Sequence, residues 1–275
     1  LKELHLIKRV DVRLPVDGRE ISPDNFAGRR LEEIERLPLL VGNRERRIGD
    51  IFEVSGIPAD DPSEQAIVIT GETRSFRWIG RGMTGGLIRL EGDAGFNLGE
   101  EMAGGTINVL GSVEDWLGCS MRGGVIEVHG NAGNQVGASI RGRGKGMRGG
   151  TIVIHGDVGY EAGSWMEGGL IHVMGSAGQF AGVHMGGGEI LIEKDSEGRL
   201  GANMREGKIV LLGRIPQVLP SFTFEEVRDR ATAGGKAYKG RFYLFRGDLT
   251  EEGNGRLFIS AEANPHLSFY EKYLE

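Results

Sequence analysis

The sequence predicts an all-β chain: a parallel β-helix, or solenoid, of about eight 19-residue coils with a small α+β cap at each end. Three observations predict it. A Met-x-Gly-Gly tetrapeptide returns at a fixed interval, a short aliphatic strand follows each Gly pair, and glycines spaced Gly-x-x-Gly-x-x-x-Gly fill the rest of each unit.

The tetrapeptides begin at Met83, Met102, Met121, Met147, Met166 and Met185, with a worn copy at Met204. Each step is 19 residues except one of 26 between Met121 and Met147, and seven of the eight methionines fall in this register. Such a period means one supersecondary unit stacked on itself. The leucine framework of a leucine-rich repeat is missing, and 19 is not divisible by six, as a hexapeptide helix would require.

Strands are predicted at 87–90, 106–109, 125–128, 151–154, 170–173, 189–192 and 208–211. In each, the second and fourth residues are aliphatic, from Ile88 and Leu90 to Ile209 and Leu211, while the residue between them varies: Arg89, Asn108, Glu127, Val153, His172, Leu191, Val210. That alternation puts one face inward and one outward. Because every unit re-enters in the same direction, the strands must be parallel neighbours about 4.8 Å apart, with Ile on Ile and Met on Met. The glycines, for example Gly92, Gly95 and Gly99, mark corners where the backbone takes positive φ or passes close to the next coil. The residue after the first of them is Asp93, Ser112, Asn131, Asp157 or Ser176, with Asp195 at the same place in the worn copy, each able to accept from a nearby backbone N–H and hold a turn.

Residues 1–65 lack the repeat and read as an N-terminal cap over an otherwise open coil end. Segments 4–8 and 10–14 alternate like strands, Pro23 and Asp24 open a turn, 31–37 looks like a short amphipathic helix stopped by Pro38, and 48–54 reads as a strand before a polar loop at 60–64. Residues 66–213 form the coil body, with 66–70 starting its first unit. Residues 214–275 form a C-terminal cap and docking tail. Within it, Thr223 and Glu226 have the spacing of a capping box, with Phe222 and Val227 as a staple, which predicts a helix through Ala231 ended by Gly234-Gly235. Strands at 242–245 and 257–260 follow, and Asn264-Pro265 opens a last helix bearing Leu267, Tyr270, Tyr273 and Leu274 on one side.

Composition narrows the function. A net charge of −6 argues against a general nucleic-acid binder, which needs a basic face. The lone Cys119 excludes a disulfide framework or a cysteine-ligated metal, and reads as a small buried filler. No apolar run reaches the roughly 18 residues of a membrane span, and the charged start is no signal peptide, so the expected location is the cytoplasm. A Leu at position 1 points to an alternative start codon or to trimming.

An enzyme on such a coil would need carboxylates, or a carboxylate with Arg or Lys, stacked outward at one register. The outward column of Arg89, Asn108, Glu127 and Val153 is a poor acid–base cluster. His129 and His155 share a register on successive coils, about 5 Å apart by the coil spacing. Two ligands are too few for structural zinc, and the register offers no third His, Asp or Glu. His172 and His184 stand isolated. No catalytic, cofactor-binding or metal-binding residue is expected in this chain. The candidate sites are partner contacts instead: the basic insertion at 138–146 with Arg141, Arg143 and Lys145, the outward apolar residues Val153, Leu191 and Val210, and the aromatic tail with Phe269, Tyr270 and Tyr273. The insertion serves either as a grip for an anion or acidic partner, or as a solvated loop.

The coils resemble the C-terminal β-helical GXGXG domain of the glutamate synthase large subunit. The flanks extend the likeness. Leu37-Pro38-Leu39, Gly42-Asn43 and Gly49-Asp50-Ile51-Phe52-Glu53-Val54 look like the N-terminal segment of the formylmethanofuran dehydrogenase C subunit, and Phe245-Arg246-Gly247-Asp248 with Gly255-Arg256-Leu257 looks like its end. The resemblance covers nearly the whole chain. It implies a scaffold subunit without cofactors of its own, in an archaeal oxidoreductase complex that reduces carbon dioxide with methanofuran to formylmethanofuran, the first step of methanogenesis. Partner subunits would carry a tungsten- or molybdenum-pterin, iron–sulfur clusters and a dinuclear zinc in an amidohydrolase-like subunit. The alternatives are the equivalent subunit of a bacterial formyltransferase/hydrolase complex and a free-standing glutamate-synthase-like domain.

Overall fold

The computed structural model describes residues 1–140 and 142–273, the side chain of Tyr273 excepted. The chain is mostly β, and no helix among the described residues is long and apolar enough to cross a membrane. The N-terminal strands are β1 (Lys2–Lys8), β2 (Val16–Asp17), β3 (Pro38–Val41), β4 (Arg44–Arg47) and β5 (Phe52–Gly56). Then come β6 (Gln65–Thr70), β7 (Phe76–Arg77), β8 (Leu87–Leu90), β9 (Thr106–Val109), β10 (Val125–Val128), β11 (Arg148–Ile154), β12 (Gly168–Val173), β13 (Gly186–Ile192) and β14 (Glu206–Leu211). The tail supplies β15 (Thr223–Ala233), β16 (Lys236–Gly247) and β17 (Gly255–Ser260).

From β6 through β8 to β14 the strands are parallel neighbours in one large open sheet, each pairing with the next along the repeat. Ile88 faces Ile107 and Ile107 faces Ile126, so the inward aliphatics stack as their period requires. A second column of single-residue parallel bridges runs alongside, from Thr73–Ala94 to Ala177–Ser196. The Met column and the inward residues of every strand are fully buried in one core.

The coupling of Met to Gly has a steric cause. Gly105 sits at φ +79°, and a Cβ there would lie 2.7 Å from the Met83 methyl of the preceding unit. The long thioether fills the space that the glycine leaves, so each unit needs both residues. At the corners, a Cβ on Gly99 (φ +67°) would meet Ile126 Cδ1 at 2.7 Å. The Asp93 column bonds differently from the sequence expectation: its side chains reach the backbone N–H of the next unit rather than closing a local turn. Ser112 N donates to Asp93 Oδ1 at 2.6 Å, Asp157 N to Asn131 Oδ1 at 2.8 Å and Ser176 N to Asp157 Oδ1 at 2.7 Å.

At the N-terminal end, β1 pairs parallel with β6 and antiparallel with β5. Helix α1 (Pro23–Phe26) is capped by Ser22, and the Asp24 carboxylate accepts from Thr84 N and Oγ1 at 3.0 and 2.6 Å, pinning this segment to the first units. Helix α2 (Leu31–Glu35) forms where expected. Two expectations fail here. Residues 10–14 form no strand, and Ile48–Ile51 is a short helix, α3, in front of β5, because Asp50 accepts from Arg47 N and caps the turn.

The tail departs further from expectation. Residues 223–233 are a strand, not a helix: β15 pairs antiparallel with β16, which pairs antiparallel with β17, which joins β14 in parallel. The capping-box signal is local, whereas pairing with a 12-residue strand satisfies the backbone groups along the whole β16-facing side of the segment, bulges aside. The last helix does form over Pro265–Tyr273, as 3₁₀. Leu274 lies outside the described residues.

Candidate functional site

Four surface features carry the chemistry. The first is the outer face of β12–β14. Leu191 (2% exposed) and Val210 (0%) lie in an apolar cluster with Ala231, Ala233 and Phe242 of the β15–β16 hairpin. Their cover is therefore intramolecular, and they are unavailable to a partner, contrary to the sequence expectation. The hairpin is latched by Gly234 N donating to Glu189 Oε2 at 2.7 Å, while Lys208 Nζ stands 2.8 Å from Glu189 Oε1. Burial pushes the Glu189 carboxyl up, but the Lys208 ammonium and the Gly234 N–H outweigh it and hold the group below its ordinary range. Val153, one strand before the cover, is half-buried.

The second is the insertion. Arg143 Nη1 reaches Glu101 Oε1 at 2.7 Å, and Arg81 Nη2 reaches Glu101 Oε2 at 3.2 Å. Burial raises the Glu101 pKa, yet these two guanidiniums bring it below the usual value. Ser120 Oγ donates to Lys145 O and Lys145 N donates to Ser139 Oγ, both at 2.9 Å, leaving the Lys145 side chain exposed. Arg141 lies outside the described residues. Beside the loop, Trp165 stacks on His184 at 4.3 Å, and His172 Nε2 sits 2.7 Å from Glu193 Oε1, so neither histidine is isolated.

The third is the tail. Tyr270 packs between Phe224 and Phe245, and Phe269, 48% exposed, stacks on Tyr270 at 4.3 Å. The Tyr273 side chain is not among those described. On the other face of β16, where Leu244 and Arg246 alternate with Tyr243 and Phe245, a groove of about 400 Å³ carries Arg228, Arg230, Arg246 and Arg256. Arg228 pairs with Glu226 and Arg246 with Glu225. A helix over this segment would scatter these side chains, whereas a strand aligns Arg228 and Arg230 on one side, so the expected helix gave no sign of the groove.

The fourth is the histidine pair. His129 and His155 stack at 4.7 Å with their planes 14° apart. Contrary to expectation a third group is present: His155 Nε2 lies 2.8 Å from Glu127 Oε1. Glu127 on β10 and His129 just past its end are two apart and share its outer side, a signal the sequence did contain. Cys119 is buried and its thiol is pushed up to about 12, chiefly by desolvation, which makes it no nucleophile.

No protein-family model matches the chain. The chain is 43% identical over 274 residues to the C subunit of the tungsten-containing formylmethanofuran dehydrogenase 2 of Methanococcus maripaludis, covering 97% of this chain and 100% of the relative. Shorter matches are 37% identical over 99 residues to the C subunit of the tungsten-containing enzyme 2 of Methanothermobacter wolfeii and 40% identical over 94 residues to that of the molybdenum-containing enzyme 1 of Methanothermobacter thermautotrophicus. These span 36% and 34% of this chain, and 37% and 23% of the relatives. A chain in the crystal structure of the formyltransferase/hydrolase complex (FhcABCD) from Methylorubrum extorquens, bound to methylofuran, superposes with a TM-score of 0.84 at 29% identity over 94% of this chain and 99% of that one. With 97% of its length matched at 43% identity, the chain belongs to the family of formylmethanofuran dehydrogenase C subunits.

Proposed function

We propose that the chain is a non-catalytic scaffold subunit of a formylmethanofuran dehydrogenase complex, its repeat wound as a parallel β-helix between two caps. The observation that carries this reading is the end-to-end match to a C subunit of that enzyme, 97% of this chain against 100% of the relative. The β-helix is supported by the parallel strands and the bridge column advancing by the same steps, 19 residues in most units and 26 at the insertion. The caps extend over residues 1–65 and 214–275, and the coil body over 66–213. The tungsten and molybdenum in the relatives' names belong, on this reading, to a pterin in a partner subunit, alongside iron–sulfur subunits and an amidohydrolase-like subunit with dinuclear zinc. The complex acts in the cytoplasm of an archaeon. With Leu191 and Val210 taken up internally, partner contacts fall to Arg143, Lys145, Val153, Phe269 and the arginine groove.

Affinity purification of this chain from its native host tests the reading. Co-purification of a pterin subunit and an amidohydrolase-like subunit, with formylmethanofuran-dependent redox activity in the eluate, is the expected result. A second reading, the equivalent subunit of a formyltransferase/hydrolase complex, is favoured by the 0.84 TM-score to that complex. It predicts formyl transfer without redox activity in the same eluate. A lone chain that turns over substrate would overturn both.

A further inference from the structure

We propose that Glu127, His129 and His155 form a surface site for a zinc-type divalent ion on the bare outer face of the repeat. One ligand atom from each lies within 4.8 Å of the others. Two features bring them together. Glu127 and His129 alternate to the same side of one chain segment, and the 26-residue step sets His155 beside His129, since Val128 pairs with Ile154. The set is of the borderline kind, two imidazoles and a carboxylate, which suits zinc and disfavours magnesium or calcium.

The three ligand atoms are near enough to converge on one ion. Zinc holds imidazole nitrogen at about 2.0–2.1 Å, so two such ligands stand about 3.4 Å apart in a tetrahedron. The histidine rings are stacked, with centroids 4.7 Å and planes 14° apart, so both side chains must rotate for their lone pairs to converge on one ion. Both rings are accessible, His155 being 35% exposed at its side chain, so rotation meets no packed core. The carboxylate is already aimed: Glu127 Oε1 lies 2.8 Å from His155 Nε2, and Asn108 Nδ2 donates to Glu127 Oε2 at 3.4 Å from behind. Such outer contacts orient a ligand and tune its basicity. Three protein ligands leave the fourth position to water or to a partner's side chain.

Zinc sulfate titrated into the full chain, in competition with a chromophoric chelator, tests the site. One zinc per chain is expected, with magnesium unable to displace it. His129→Ala and His155→Ala should each weaken binding at least tenfold and Glu127→Gln several-fold, while His172→Ala, which breaks the separate pair with Glu193, should leave it unchanged. Thermal melts of the metal-free variants, expected to match the parent, separate ligand loss from misfolding. Substoichiometric binding, or equal affinity in the His129→Ala and His155→Ala variants, would overturn the proposal.

Discussion

The outer faces of β8–β10 and of β12–β14 are built on the same repeat and treat it oppositely. On the first, the outward positions are Arg89, Asn108 and Glu127, which face solvent wholly or in part. On the second, Leu191 and Val210 are buried under the β15–β16 hairpin. The inward residues barely differ, Ile, Leu and Val throughout. The inner face is thus fixed by the repeat, whereas the outer face is free to record what lies over it. A polar outer face can host chemistry or a partner; an apolar one marks a contact already made.

The sharpest way to break the comparison is to place a carboxylate on each face. Val210→Asp buries an unpaired charge under the hairpin and should cost about 4 kcal/mol in urea unfolding, whereas Val125→Asp, at a 41% exposed position, should stay within about 0.5 kcal/mol. Equal losses would mean that the hairpin does not seal its face. Next in size is Phe242→Ala, which empties the middle of the hairpin cluster and should cost about 3 kcal/mol. Hydrogen exchange should then speed up in β15 and β16 and hold its rate in β8–β10, because repeat arrays open locally.

Smaller effects sharpen the latch. Gly234 turns at φ +56°, and a Cβ there would lie 2.7 Å from Leu170 Cδ2, so Gly234→Ala should lower stability by about 1–2 kcal/mol in a thermal melt. Smallest is Glu189→Gln, at about 0.5 kcal/mol or less for a partly solvated pair. The Glu189 pKa is depressed on folding, so its contribution is fully present above the ordinary carboxylate value and fades as pH falls through the folded one. Exchange in the hairpin should therefore speed up on acidification in the parent and less so in Glu189→Gln. An identical acid response in both would remove Glu189 from the latch.

The ladder was legible in the sequence because its chemistry tolerates little substitution. Met83 needs Gly105 and Gly99 needs Ile126 beside it, so the residues themselves repeat. The corners were only half legible. Among the described residues, thirteen other than glycine have positive φ, and twelve of them stand in two columns: Trp78, Asn97, Trp116, Gln135, Glu161, Phe180 and Arg199, then Glu101, Ser120, Trp165, His184 and Asn203. Their side chains have nothing in common, so no pattern betrayed the shared left-handed backbone, whose strain of about 1–2 kcal/mol per residue the packing of successive units must offset. The hairpin was illegible for another reason. Its Thr223 and Glu226 satisfy a local helix signal that long-range pairing overrides. Glu127 left its signal in the two-residue spacing to His129 rather than in the histidine register, because its carboxylate reaches that column diagonally.

The methionine column has a chemical corollary. Seven thioethers, from Met83 to Met204, are 0% exposed in the folded chain, and Met174 alone of the eight is half-buried. Peroxide converts methionine to sulfoxide only where it can reach the sulfur. The chain therefore carries an oxidant-readable marker in each of the seven Met-bearing repeat units, with Met174 as the internal reference for a folded molecule. The order in which the seven sulfoxides appear would record which repeat units open first, and a single buried oxidation, by adding a polar oxygen against the neighbouring glycine backbone, would hold that unit apart until the sulfoxide is reduced.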